Sequence, residues 1–194
     1  MKPFLSRRAV TLIELLLALV LFVVMAVGIF SIDSFGRYNI LTMDRRIRIQ
    51  HQASDIIEHM SKKVVNTISR PVRMDATSIR FYIDQDLDGT SSSGDAWVAY
   101  RYRNGTAPSG QRYRVEYCSN YNTTSSGCNV DWAVVGKNIL IFTAAIEPSD
   151  TYLTVNITGC WDPSEPDKTY KHCGTADNPG VNMTSRFNLP STTQ

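Results

Sequence analysis

Residues 10–32 read VTLIELLLALVLFVVMAVGIFSI, and they decide the organisation of the chain because they are long, apolar and carry one charge, on Glu14. A helix of about 20 apolar residues spans the hydrocarbon core of a bilayer. The stretch is therefore predicted to be a membrane-spanning helix. A carboxylate in such a helix costs about 2.5–3.5 kcal/mol at its centre on insertion scales, and less near an end. We therefore expect Glu14 to have a partner.

Three basic residues, Lys2, Arg7 and Arg8, precede the apolar stretch. By the positive-inside rule they favour a cytoplasmic N-terminus, with the rest of the chain across the membrane. Two ordinary alternatives remain open. A cleaved secretory signal would have only a poor cleavage site, around Ala26. An uncleaved single-pass anchor would leave Glu14 without a partner.

The residues around Glu14 resemble the processing site of type IV prepilins, which is shared by type IV pilins and type II secretion pseudopilins. Residues 1–9 (MKPFLSRRA) resemble the short basic leader, and Glu14 is the fifth residue after Ala9. The resemblance implies cleavage between Ala9 and Val10 by a prepilin peptidase and N-methylation of Val10. It also implies a salt bridge between Glu14 and the amino terminus of an adjacent subunit. Ala9 and Val10 stand where Gly and Phe are commoner, and Ser31 stands where major pilins often have proline.

The helical pattern continues beyond the apolar stretch. Apolar residues recur at steps of three and four, which is typical of one face of an amphipathic helix. These residues are Ile49, Ala53, Ile56, Ile57, Met60, Val64 and Ile68. Because Pro71 cannot continue a helix, one helix is predicted from Leu12 to Ser69, with residues 33–70 as its amphipathic half. Its apolar stripe needs cover from elsewhere in the chain.

Residues 71–194 are predicted to form a β-rich head that supplies this cover. Alternating apolar and polar residues between turn signals indicate strands. The predicted strands are residues 78–83, 96–102, 112–117, 138–143 and 152–158. Short connections favour antiparallel pairing, with one face of the sheet packed on the helix. The fold class is therefore α+β, a long N-terminal helix on an antiparallel β-sheet head, and residues from Arg186 onward are expected to form a flexible tail. The order of hairpins resembles J-type pseudopilins and W-type minor pilins.

All four cysteines lie beyond the apolar stretch, which suits an oxidising compartment. Cys118–Cys128 and Cys160–Cys173 are the favoured disulfides, because each would close a short polar loop. Other pairings, four free thiols or a metal site remain alternatives. The spacings lack the C-x-x-C pattern of most zinc sites.

An acidic segment, Asp84-Gln85-Asp86-Leu87-Asp88-Gly89, predicts a second kind of site. With Asp95 it follows the spacing of a calcium loop, in which carboxylates at positions 1, 3, 5 and 12 converge around a glycine turn. Position 12 is an aspartate instead of the usual glutamate, position 9 is Ser92, and strands flank the loop where a calcium loop has helices. A solvated aspartate-rich hairpin loop is therefore the alternative. Apart from this Ca²⁺, the sequence indicates no cofactor.

The sequence does not predict an enzyme, since it contains no nucleophile elbow, phosphate loop or supported pair of carboxylates. His51 and His59 are expected to be solvated. A net charge of +2 gives no indication of nucleic-acid binding.

The resemblance implies a structural subunit of a type IV pilus or type II secretion pseudopilus, of the minor class. Before assembly it would lie in the bacterial inner membrane, with a cytoplasmic N-terminus and a periplasmic or extracellular head. Its partners would be other pilin or pseudopilin subunits, the prepilin peptidase and an assembly-platform membrane protein. The alternatives are a major pilin subunit, or a membrane-anchored calcium-binding or adhesion module outside any filament.

Overall fold

A computed structural model describes residues 11–69, 71–75, 77–89, 94–108, 111–147, 151–163, 173–175 and 178–189. The chain divides into two units, Met1–Met43 and Asp44–Gln194. Helix α1, Leu12–Val64, contributes residues to both. The α+β fold class predicted from the sequence is confirmed, because α1 is followed by antiparallel sheets.

The first unit is described by residues 11–43, which form the start of α1. Its apolar side chains are exposed in the isolated chain, as the values for Phe22 (72%) and Phe30 (74%) show. Within the described part of the chain, α1 is the one helix long and apolar enough to cross a membrane. The sequence-based expectation of a membrane-spanning segment therefore has a matching helix.

Helix α1 ends at Val64, so the prediction that it continues to Ser69 is wrong. The residues that follow pair with a strand instead. Thr67 forms a bridge with Ile83, and the Ile68 N–H donates to the carbonyl of Tyr82 at 3.1 Å. The segment is rich in β-branched residues, which suit an extended backbone, and the pairing satisfies backbone groups that would otherwise need helical partners.

The second unit contains ten strands among its described residues. In chain order, β1 to β10 are Val72–Asp75, Ser78–Ile83, Ala96–Arg103, Arg114–Cys118, Tyr121–Asn122, Gly127–Cys128, Ala133–Gly136, Ile139–Ile146, Tyr152–Cys160 and Gly180–Asn188. They form a five-stranded sheet in the order β1-β2-β3-β4-β7, a three-stranded sheet in the order β10-β9-β8, and the small hairpin β5-β6. All the pairings are antiparallel.

All five predicted strands are present, with their ends shifted by up to three residues. The expectation of a flexible tail from Arg186 is wrong as far as Asn188, because β10 pairs with β9 along its whole length. Leu189, the next residue, is buried. The rest of that tail, residues 190–194, lies outside the described residues.

The apolar stripe of α1 lies at the centre of the head. Its buried residues are Ile49, Ala53, Ile56, Met60 and Val64, each at most 1% exposed. Side chains from both larger sheets, including Phe81 of β2 and Phe142 of β8, belong to the same buried core. Full burial of one such large apolar side chain stabilises the fold by about 1.5–3 kcal/mol. The predicted cover of the stripe is therefore confirmed.

Two glycines allow the helix to lie close against the sheets. A Cβ at Gly136 of β7 would lie 2.4 Å from Cδ1 of Ile56, and a Cβ at Gly159 of β9 would lie 2.3 Å from Cγ2 of Ile49. Side chains at these positions would occupy space that the helix already fills. The approach of α1 to the sheets thus depends on the missing side chains.

Both favoured disulfides are present, Cys118–Cys128 and Cys160–Cys173. The first joins the end of β4 to the small hairpin. The second joins the end of β9 to the segment that precedes β10. Closing loops of these sizes contributes about 2–3 kcal/mol in the chain-entropy account.

Candidate functional site

Glu14 lies in the first turn of α1 and has a partner within its own chain. Its Oε2 accepts hydrogen bonds from the backbone N–H and the hydroxyl of Thr11, both at 3.0 Å. The Glu14 N–H in turn donates to Oγ1 of Thr11 at 3.3 Å. This reciprocal arrangement is a capping box, which satisfies backbone donors at a helix start. The sequence signal for this capping box is a threonine three residues before a glutamate.

The two predicted processing residues, Ala9 and Val10, lie outside the described residues. Cleavage, N-methylation and an intersubunit salt bridge of Glu14 therefore stay predictions. The capping box nevertheless changes the chemistry expected of Glu14. The carboxylate already accepts hydrogen bonds from Thr11, so it does not need a new amino terminus as its donor. A test of Glu14 in assembly must therefore separate pairing between subunits from capping of the helix.

The surface that follows Glu14 is suited to an apolar environment. In the sequence, Asp33 is the next charged residue after Glu14, and its carboxylate pairs with Arg37 at 2.9 Å. The hydroxyl of Ser31 donates to the carbonyl of Val27 at 2.9 Å, so this polar group is satisfied within the helix. Such a helix can lie in lipid or be buried against other helices without leaving these polar groups unpaired.

The acidic loop brings together three of the four predicted calcium ligands. Carboxylate oxygens of Asp84, Asp86 and Asp88 lie within 4.8 Å of one another. Asp95 is not part of this group, and its Oδ1 instead accepts the N–H of Gln85 at 3.0 Å. Ser92, the position-9 residue, falls in the segment 90–93, outside the described residues.

The same loop has hydrogen bonds that hold it without a cation. Asp84, which is only 6% exposed, accepts the N–H of Leu87 at 2.6 Å and that of Gly89 at 2.7 Å. Burial raises the pKa of Asp84, but hydrogen bonds, above all from Gly89, outweigh burial and keep this pKa below its ordinary value. Leu87 and Gly89 both adopt positive φ, 60° and 77°, to close the turn. Calcium binding by this loop therefore stays a prediction.

His59 is half-buried, where the sequence-based expectation was a solvated side chain, whereas His51 is exposed. Nδ1 of His59 lies 2.6 Å from the hydroxyl of Tyr100 on β3, and its ring packs edge-on against Tyr117 of β4. Burial, then Lys63 and Lys62, lower the pKa of His59. Burial also raises the pKa of Tyr100, which keeps its hydroxyl protonated. This contact fastens the helix to the sheet through a polar group.

Sequence reasoning also missed a charged cluster on the five-stranded sheet. Glu116 of β4 is fully buried, and three arginines donate to its carboxylate: Arg101, Arg103 and Arg114. The signal in the sequence was the alternation of arginines in 101–103 and the spacing of Arg114 and Glu116. Which residues meet became known only from the register of β3 with β4.

The chain matches no known protein family, no curated protein and no solved structure. The resemblance to the type IV pilin-like family rests on the residues of the chain itself. These are the basic residues Lys2, Arg7 and Arg8, the apolar stretch of residues 10–32 and the position of Glu14.

Proposed function

We propose that this chain is a structural subunit of a type IV pilus or a type II secretion pseudopilus, of the minor class. The observation that carries the proposal is the exposed apolar start of α1, with Glu14 as its one charge up to Ile32. In the same chain, the apolar stripe of α1 between Ile49 and Val64 is buried by an antiparallel head. A single-pass anchor alone would account for the apolar surface, but not for a glutamate at the fifth position after a basic leader.

In this proposal the apolar surface is covered twice. Lipid covers it before assembly, and the equivalent helices of neighbouring subunits cover it in the filament. Glu14 would pair with the amino group of Val10 on an adjacent subunit. A buried ion pair contributes little net stability, since desolvation offsets the attraction, so its role would be to set the register between subunits. The two disulfides fit a head that lies in an oxidising compartment.

The assignment to the minor class rests on two features of the sequence. Ser31 occupies the position where major pilins often carry proline, and the chain of 194 residues is longer than is typical of a major pilin. The abundance of the subunit in purified filaments separates the two classes. A minor subunit would be present at a small fraction of the main subunit.

The test of the proposal is substitution of Glu14 in cells that assemble the filament. We expect Glu14→Ala to leave the head folded and the protein in the membrane, but to abolish its incorporation into filaments. Thr11→Val is the matched control, because it removes the hydroxyl of the capping box and keeps the carboxylate. If Glu14 acted only as a cap, Thr11→Val, which removes two of the three hydrogen bonds of the capping box, would also reduce incorporation. Wild-type incorporation of the Glu14→Ala protein would refute the intersubunit role.

Mass spectrometry of the purified protein gives an independent readout. The proposal expects a mature chain that begins at an N-methylated Val10. A chain that still contains residues 1–9 in assembled filaments would contradict it.

A membrane-anchored calcium-binding or adhesion module outside any filament is the second candidate, which the convergence of Asp84, Asp86 and Asp88 favours. It predicts saturable heat on titrating calcium into the full chain in a neutral detergent. A double Asp84→Ala, Asp86→Ala variant would abolish that heat. Flat titrations of both proteins would exclude the calcium site.

A further inference from the structure

The face of the five-stranded sheet that points away from α1 carries the charged cluster around Glu116. Val115 and Tyr117 contribute to the core, so Glu116 between them points to the opposite face. Nε of Arg101 donates to Oε2 of Glu116 at 2.6 Å, and Nε of Arg114 donates to Oε1 at 2.6 Å. Arg103 donates to Oε2 from 3.3 Å. One buried carboxylate thus fixes three guanidinium groups.

The cluster has more positive than negative charge. Three arginines surround one glutamate, and Arg103 lies directly opposite Arg114 across β3 and β4. Like charges opposite one another destabilise a sheet. Attraction to Glu116 offsets part of this repulsion, and the excess charge remains. The arginine side chains keep part of their surface open to solvent, from 20% for Arg114 to 33% for Arg103.

A groove of about 640 Å³ lies beside the cluster on the same face. Four arginines line it among the described residues: Arg73, Arg80, Arg101 and Arg103. Asp75 is the carboxylate in this lining, and its Oδ1 already accepts the N–H and hydroxyl of Thr77. The groove therefore has strong donors and few acceptors available to an incoming ligand.

Aromatic rings hold two of these arginines in place. The guanidinium of Arg101 lies 3.8 Å from the ring centre of Trp132, and that of Arg80 lies 4.9 Å from the ring centre of Trp97. The Nε of Arg80 is buried and has no hydrogen-bond partner among the described residues. Guanidinium groups held in this way lose little freedom when they bind an anion.

We propose that this groove binds an oxyanion, a carboxylate or a phosphate carried by a ligand that enters from the solvent. The planar fork of arginine matches both groups, and charge-assisted hydrogen bonds to them are among the strongest in proteins. Glu116 acts as the positioning residue, because it orients the arginines without facing the groove. This inference does not depend on assembly into a filament.

The three-stranded sheet provides a matched control. Arg186 of β10 donates to Glu147 at 2.5 Å and lies 3.8 Å from the ring centre of Tyr152. It therefore has the same kinds of neighbour as Arg101, a carboxylate and an aromatic ring. Here one arginine meets one glutamate, so the pair has no excess charge.

The experiment is an NMR titration of the full chain in a neutral detergent, with inorganic phosphate in one series and citrate in another. We expect saturable shifts of the arginine Nε–Hε resonances of Arg80, Arg101 and Arg103, which line the groove, and none for Arg186. Arg103→Gln should weaken binding at least tenfold, and Arg186→Gln should leave it unchanged. Arg103 is chosen because its bond to Glu116 is the longest, so Arg101 and Arg114 still satisfy the carboxylate. Added sodium chloride should weaken binding, because salt screens the attraction.

Shifts with phosphate alone would identify a phosphate site, and shifts with citrate alone would identify a carboxylate site. Shifts with both probes would identify a site that binds either anion through its negative charge. Each of these results supports the proposal. Linear shifts with both probes, equal shifts at Arg186, or unchanged affinity in Arg103→Gln would overturn it. If Arg103→Gln does not fold, Arg80→Gln takes its place with the same expected result.

Discussion

The two parts of helix α1 differ in how their apolar residues are arranged and covered. In residues 12–43, apolar side chains surround the helix and are exposed, as with Leu19 at 59%. In residues 49–64 they form one stripe, which the sheets of the head bury. A stripe indicates that the same chain covers the helix, and an apolar surface on all sides indicates that lipid or other molecules do. Apolar residues in the stripe therefore stabilise the fold of the head, and those of residues 12–43 provide a surface for lipid or for other molecules.

Substitution of one large apolar residue in each part gives the largest expected effect. Ile56→Ala leaves a cavity in a fully buried position, which costs about 2–5 kcal/mol of unfolding free energy. Leu19→Ala removes a side chain of similar size from an exposed position. It should leave the unfolding of the head unchanged.

Urea unfolding of both variants in a neutral detergent, followed by tryptophan fluorescence, measures this difference. All three tryptophans lie in the head, so the signal reports on the head alone. An equal loss in both variants would contradict the division of α1 into a part that the chain covers and a part that it does not.

The sequence predicted the buried stripe because a period of three to four residues is a local property. It did not predict the end of α1, since the pairing of Thr67 with Ile83 joins residues far apart in the chain. Strand β10 was missed although Val181, Met183 and Phe187 alternate with polar residues, as in a half-buried strand. The pairing with β9 and the packing of Met183 and Phe187 against the core became known only from the structure. In the acidic loop, the spacing predicted convergence of the aspartates. The backbone N–H groups that bind Asp84 could not be read from composition.

Substitution of one glycine in or beside each part of α1 has a smaller expected effect on the free energy of unfolding. Gly159→Ala places a Cβ 2.3 Å from Cγ2 of Ile49, so the helix or the strand must move. Overpacking of this kind costs about 1–3 kcal/mol. Gly28→Ala is the matched control in the first part of α1, where a Cβ would meet no atom within 4 Å. Alanine there favours the helix by about 0.5–1 kcal/mol.

A double-mutant cycle with Ile49→Ala checks the cause of the Gly159→Ala effect. If the clash with Ile49 is responsible, the two substitutions together should cost less than the sum of their separate costs. Strict additivity would place the strain elsewhere in the head.

The smallest expected effect is a dependence of head stability on pH through His59, which lies on the covered part of α1. Its ring is in contact with Tyr100 and Tyr117, and burial, Lys63 and Lys62 lower its pKa below 6.5. In the unfolded chain the ordinary value, about 6.5, applies. Between these two values the unfolded state binds more protons, so stability is complete above about pH 6.5 and falls as the pH falls towards the folded pKa.

His59→Asn should remove this part of the pH dependence, because the variant has no group that titrates at this position. His51→Asn, at an exposed position on the same helix, is the control and should keep the wild-type dependence. Urea unfolding of the three proteins from pH 7.5 to 5 measures the effect, and protonation of carboxylates contributes equally to all three. A wild-type profile in His59→Asn would show that protonation of His59 does not affect the contact between helix and sheet, and that other groups produce the pH dependence.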